Sequence, residues 1–228
     1  MNKARKLLLA AAACAAIAVP LASFAAPVVY TNKALFLAAI SGAATDSFND
    51  LTTSGLLTEP LLRTAGGYGY TAGTTSASGL YSVGPSAADR WLSTADADSA
   101  LVFNAFTGGV FGVGGYFFST DVDGDFVSAN VTVTGSDGVT STQTIMGATT
   151  TSFVGFYSSS GITSVVVAAS QLGAPLGGYY ATANDLVLGG RPPAPPPPGG
   201  TVPEPGSLPL IALAAAVLFA TTRRARSS

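Results

Sequence analysis

Between Val127 and Thr134 apolar and polar residues alternate strictly, with Val127, Ala129, Val131 and Val133 on one side and Ser128, Asn130, Thr132 and Thr134 on the other. A period of two is the signature of a strand with one buried face. Gly135-Ser136-Asp137-Gly138 then predicts a turn, and residues 139–145 predict a polar-faced partner strand. Further β-prone runs, bounded by Gly, Asp and Ser, lie at 48–51, 68–73, 79–83, 100–106, 110–119, 153–157, 162–168 and 181–188. Leu101-Val102-Phe103 and Val165-Val166-Val167 are continuously apolar, which predicts strands covered on both faces. A helical signal occurs once in this region: Thr31-Asn32 is an N-cap, Leu35, Phe36, Ala39 and Ile40 share a face, and Gly42 is placed to end the turn. The pattern predicts an all-β domain, a jelly-roll-like β-sandwich with one short N-terminal helix, and no internal repeat of fixed period.

The two ends read differently. Residues 1–6 are basic, residues 7–19 are apolar, and Ser23-Phe24-Ala25 supplies the small residues that a signal peptidase reads. Cleavage is expected after Ala25, because a cut after Ala26 would place Pro27 beside the scissile bond. Near the other end, residues 207–222 carry no charge and would span about 24 Å as a transmembrane helix. Arg223, Arg224 and Arg226 follow, and the positive-inside rule puts them in the cytoplasm. The organisation expected is a signal peptide over 1–25, an ectodomain over 26–190, a Pro/Gly-rich linker over 191–202 and a tail over 203–228. The linker's prolines favour an extended polyproline rod that holds the domain off the membrane.

Charge sharpens this picture. The chain carries a net −2, but its basic residues crowd the ends. Between them stand four basic residues, Lys33, Arg63, Arg90 and Arg191, against all twelve acidic ones, a net of −8. So acidic a domain has no footprint for a phosphate backbone, which argues against nucleic acid as a partner. The single cysteine, Cys14, falls in the segment expected to be removed, so the mature chain is expected to hold no disulfide.

Candidate chemistry is sparse. The chain has no histidine, which excludes Ser-His-Asp triads, Cys-His pairs and histidine zinc sites. Glu59 is the one glutamate of the domain, and no pair of acids stands out for glycoside hydrolysis. Asp121, Asp123 and Asp125 alternate along Asp121-Val122-Asp123-Gly124-Asp125 and offer hard oxygen ligands to calcium. An EF-hand would need an acid where Thr132 stands, and the same run also reads as an Asp/Gly turn. No other cofactor is indicated. Tyr68, Tyr70, Tyr81, Trp91, Tyr116, Tyr179 and Tyr180 are aromatics suited either to stacking on sugar rings or to packing a sandwich. Asn184-Asp185 suits a turn cap or a sugar contact, and Asn130-Val131-Thr132 matches a glycosylation sequon on a strand's polar face.

Pro203-Glu204-Pro205, followed by the apolar span and the terminal arginines, resembles the PEP-CTERM sorting signal of Gram-negative bacteria. The resemblance implies an exosortase-type processing enzyme as a partner beside signal peptidase. It implies export across the inner membrane, a transient membrane anchor, and then residence at the cell surface or in an extracellular matrix. It also implies association with exopolysaccharide and biofilm. Trp91-Leu92-Ser93-Thr94, Gly114-Gly115-Tyr116-Phe117-Phe118-Ser119-Thr120-Asp121 and Ala183-Asn184-Asp185-Leu186-Val187-Leu188-Gly189 resemble a group of uncharacterised PEP-CTERM ectodomains thought to be jelly rolls. The expected function is therefore a non-enzymatic surface or matrix protein acting by polysaccharide binding or self-association. A secreted glycan-active enzyme on the same scaffold is the alternative, and fold alone cannot choose between them.

Overall fold

The computed structural model describes residues 26–51 and 55–193. The expected signal peptide over 1–25, the expected sorting motif at 203–205, the expected span at 207–222 and Arg223, Arg224 and Arg226 lie outside the described residues. Among the described residues no helix is long and apolar enough to cross a membrane.

Two antiparallel sheets build the domain. The larger runs β1 (Val28–Tyr30), β13 (Phe153–Tyr157), β9 (Gly112–Thr120), β15 (Tyr180–Gly190), β7 (Asp89–Thr94), β6 (Leu80–Ser86) and β3 (Gly55–Leu57). On it, β10 (Phe126–Val127) also pairs with β9, and β2 (Ser41–Asp46) pairs with β15. The smaller sheet runs β12 (Thr140–Ile145), β11 (Val131–Ser136), β14 (Ser164–Ala169), β8 (Leu101–Thr107), β5 (Tyr68–Thr74) and β4 (Leu61–Ala65). The sheets share one core, as a sandwich requires: Phe103, Val131, Val133, Val165 and Val167 cluster with Leu92, Phe117, Val154, Phe156 and Ala183. Their approach is close enough that a Cβ on Gly135 of β11 would lie 2.4 Å from the Phe156 ring on β13.

The single helix, α1 (Lys33–Ala38), begins where Asn32 Oδ1 accepts the amides of Ala34 and Leu35, the expected cap. It lies on the outer face of the larger sheet, where Phe36 and Ile40 form a second small cluster with Phe153 and Val187. The floor beneath is glycine. A Cβ on Gly112, Gly155 or Gly189 would come within 2.4 to 2.6 Å of Ile40 or Phe36, so α1 docks only because three neighbouring strands are bare there. The expected apolar face is narrower in fact: Leu35 is 63% exposed. Gly42 does not end the helix; it sits inside β2 at φ 57°, and the helix closes on the Ala39 amide donating to the Phe36 carbonyl.

Other expectations need correction. Residues 48–51 are not a strand. Asp46 Oδ1 accepts the Phe48 amide at 3.0 Å, Phe48 turns to φ 60°, and the Leu51 amide closes onto the Phe48 carbonyl. The alternating run at 127–134 is not one strand either. Val127 belongs to β10 on the larger sheet, and Val131 opens β11 on the smaller, so residues 128–130 cross between layers. β11 also runs through to Ser136, into the expected turn.

Between the layers, Arg63 of β4 reaches Asp46 of β2 with Nε to Oδ2 at 2.9 Å and Nη2 to Oδ1 at 2.5 Å. It also reaches Asp50 at 2.8 and 2.6 Å, and the Tyr70 hydroxyl donates to Asp46 at 2.7 Å. Asp46 and Arg63 side chains are only 4% and 10% exposed. Burial works against the Arg63 charge, but the bonds from Asp50 and Asp46 outweigh it and hold the guanidinium further above its usual range. The hydrogen bond from Arg63 pulls the Asp50 carboxyl below its usual range. Four of the five Arg63 N–H groups and all four carboxylate oxygens of Asp46 and Asp50 are matched inside the group, so these charges are a tie between the sheets.

Candidate binding cleft

The outer face of the larger sheet carries a cleft of about 170 Å³. Pairing register builds it. Tyr81 of β6 stands opposite Ser93 of β7, Ser93 opposite Thr182 of β15, and Tyr180 of β15 opposite Thr120 of β9. Four strands thus bring two tyrosines and three hydroxyls to one side of the sheet. Ser93, Thr120 and Thr182 are buried and form a closed set, with oxygen separations of 3.3, 2.9 and 3.1 Å. Ser93 also faces the Ala181 carbonyl at 3.3 Å, and Thr182 faces the Tyr180 carbonyl at 3.2 Å.

One wall is the turn between β9 and β10, which contributes Asp121, Val122 and Gly124. Asp121 Oδ1 accepts the amides of Asp123 and Asp125, each at 3.0 Å, and the Asp121 amide donates to the Asp125 carbonyl. Gly124 adopts φ 83°, and a Cβ there would lie 2.8 Å from Val83, so the turn presses directly onto β6. Asp123 and Asp125 are exposed. Among the described residues no three His, Cys, Asp or Glu side chains gather in a group that could hold a metal, these three aspartates included. The Asp121 carboxylate is organised as the cap of its own turn.

The aromatics separate by role. Tyr70 is buried among Phe103 and Phe106, and burial, then the neighbouring Asp46 charge, push its phenol well above the usual range. Trp91 stands edge-on to Phe118 at 4.8 Å and donates to Asp89 Oδ1 at 3.0 Å. Tyr116 packs on Phe153 beneath Lys33, Tyr68 donates to the Ser41 carbonyl, and Tyr179 donates to the Gly173 carbonyl. Only Tyr81, 42% exposed, and half-buried Tyr180 meet at the cleft. Asn184-Asp185 shapes a bulge in β15, where Asp185 takes φ 51° and its amide donates to Asn184 Oδ1. Asn130 Oδ1 accepts the Gly147 amide, and Asp96 Oδ1 accepts the Asp98 amide in its own loop. Glu59 Oε1 accepts the Thr74 hydroxyl and the Gly79 amide, away from the cleft.

The sequence runs around Trp91, Tyr116 and Asn184 fall on β7, β9 and β15, which are neighbours in the larger sheet. Ser93, Thr120 and Thr182 are the site residues that composition could not single out, since hydroxyl residues are abundant along the chain and only strand register gathers these three. No family model, curated protein or solved structure matches this chain.

Proposed function

We propose that the chain is an exported, non-enzymatic surface or extracellular-matrix protein whose jelly-roll-like sandwich binds polysaccharide. The observation that carries this reading is the cleft between Tyr81 and Tyr180: aromatic surface beside a hydroxyl and carboxylate lining is the chemistry of a sugar site. Its lining has a single carboxylate, Asp121, whereas glycoside hydrolysis ordinarily uses two, which favours holding a glycan over cutting one. Export is supported by the basic-then-apolar start ending at Ala25, and sorting by Pro203-Glu204-Pro205 before an apolar span and Arg223, Arg224 and Arg226. In this reading an exosortase-type enzyme processes the tail after transient membrane anchorage in a Gram-negative host. The protein then resides at the surface or in a biofilm matrix.

Two experiments test it. The full mature chain is applied to a polysaccharide array, where reproducible binding without release of reducing ends is expected. Hydrolysis would move the protein to the enzymatic class. Separately, replacing Pro203-Glu204-Pro205 by alanines should leave export intact and trap an unprocessed, membrane-held form. Normal release of that variant would remove the sorting reading.

A further inference from the structure

Resting on the sugar-binding reading above, the cleft's hydrogen-bond inventory narrows its ligand. Ser93, Thr120 and Thr182 hold three hydroxyl protons, and each has an acceptor inside the protein, among the three oxygens and the Ala181 and Tyr180 carbonyls. Three hydroxyls offer six lone pairs and can fill at most three of them from within, so at least three stay open. Ser93 and Thr120 lie at the floor of the cleft with only 1% of their surface exposed, so each can offer a ligand no more than one oxygen edge. Asp121 adds another, because its Oδ1 is saturated by two amides while Oδ2 takes no hydrogen bond among the described residues. No lysine or arginine lines the cleft, and Asp123 and Asp125 sit on the same turn.

A site rich in acceptors and negative in charge selects a ligand that brings donors and no anion. We infer that the cleft takes one uncharged pyranose ring of a neutral polysaccharide and rejects uronates. The ring's hydroxyls donate to Thr120, Ser93 and Asp121, and its C–H face lies on Tyr81, Tyr180 and Val83. A uronate would bring its carboxylate against Asp121, a like-charge contact with no cation to offset it. At about 170 Å³ the cleft is well below the roughly 300 Å³ where drug-sized pockets begin, which suits a single ring.

The test is calorimetric titration of the full mature chain with gluco-, manno- and galacto-hexaose and with hexagalacturonate. At least one neutral hexaose should bind, with hexagalacturonate about tenfold weaker or worse. Tyr180→Ala and Tyr81→Ala should each weaken neutral binding about tenfold, the exposed Tyr81→Ala with unchanged melting temperature. Asp121→Asn, which keeps a turn acceptor, should narrow the gap between neutral and uronate ligands. Equal or tighter uronate binding overturns the charge selection while leaving the sugar-binding reading standing. Neutral binding untouched by both tyrosine variants places the ligand elsewhere and overturns this site. Binding of none of the four oligosaccharides, nor of any arrayed polysaccharide, overturns the sugar-binding reading itself.

Discussion

Arg63 and Asp46 face each other across the two sheets, joined by a paired contact from Nε and Nη2 of one to both carboxylate oxygens of the other. A paired guanidinium–carboxylate contact is directional, so it fixes the relative placement of β4 and β2 as well as their separation. The guanidinium also lies over the Phe48 ring, 5.6 Å from its centroid. Removing one partner leaves a buried charge uncompensated, which costs about 3–5 kcal/mol. Arg63→Met should therefore lower stability by about that much in denaturant melts, and Arg63→Met with Asp46→Leu should recover a substantial part. A single-variant loss below about 1 kcal/mol would mean the pair is a surface-like contact of little weight.

Tyr70 gives the same cluster an alkaline limit. Its folded phenol titrates above its unfolded value of about 10, because burial and then the Asp46 charge oppose ionisation. The neutral form is the one folding favours, so its contribution is full below about pH 10 and is lost as pH rises beyond that. Stability should fall steeply above about pH 10, and Tyr70→Phe should flatten that fall while costing about 1 kcal/mol at neutral pH from the lost hydrogen bond. Urea midpoints from pH 7 to 11 for the two proteins settle it; parallel curves would refute it.

Helix docking depends on the bare glycine floor. In Gly155→Ala the new methyl would sit 2.6 Å from the Phe36 ring, which is completely buried. Overpacking of this kind costs about 1–3 kcal/mol. Pairing it with Phe36→Leu should give a loss smaller than the sum of the two single losses, since the smaller side chain vacates the contested space. Strict additivity in thermal melts would show that the helix moves aside without resistance.

The turn between β9 and β10 separates its aspartates by role. Asp121→Ala removes the acceptor for two amides and should cost about 1–2 kcal/mol. Asp123→Asn alters an exposed side chain and should change stability by less than about 0.5 kcal/mol. Calcium titrated to millimolar should leave the wild-type melting temperature in place. A concentration-dependent rise abolished by Asp123→Asn would instead assign the ion to Asp121, Asp123 and Asp125.

Much of the sheet architecture was legible in the chain, and the exceptions are physical. Strands such as β11, β13 and β14 announce themselves because Val and Phe face a core. β2 reads Ser-Gly-Ala-Ala-Thr-Asp and has no such signal; it is a strand because Leu186, Val187 and Leu188 of β15 offer it a paired edge. β4 has no clear signal for a related reason, since Leu61-Leu62-Arg63 places a cation where alternation would want an apolar residue, and Asp46 across the layer explains it. Of the cleft, Tyr81, Tyr180 and Asp121 stand out in the sequence as residue types, but their meeting with Ser93 and Thr120 does not. Ser93 meets Thr120 across 27 positions and Thr182 across 89, separations that only strand register closes.

The placement of β15 sets the order in which this protein can come into being. It is the last strand of the described domain, yet β2, β7 and β9 all hydrogen-bond to it. Without residues 180–190 the larger sheet falls into two fragments, β1-β13-β9 with β10 and β7-β6-β3, and β2 has no partner. A chain emerging from its N-terminus therefore lacks its keystone until almost the whole domain has passed. The larger sheet, unlike the smaller one, can close only once residues 180–190 are in place.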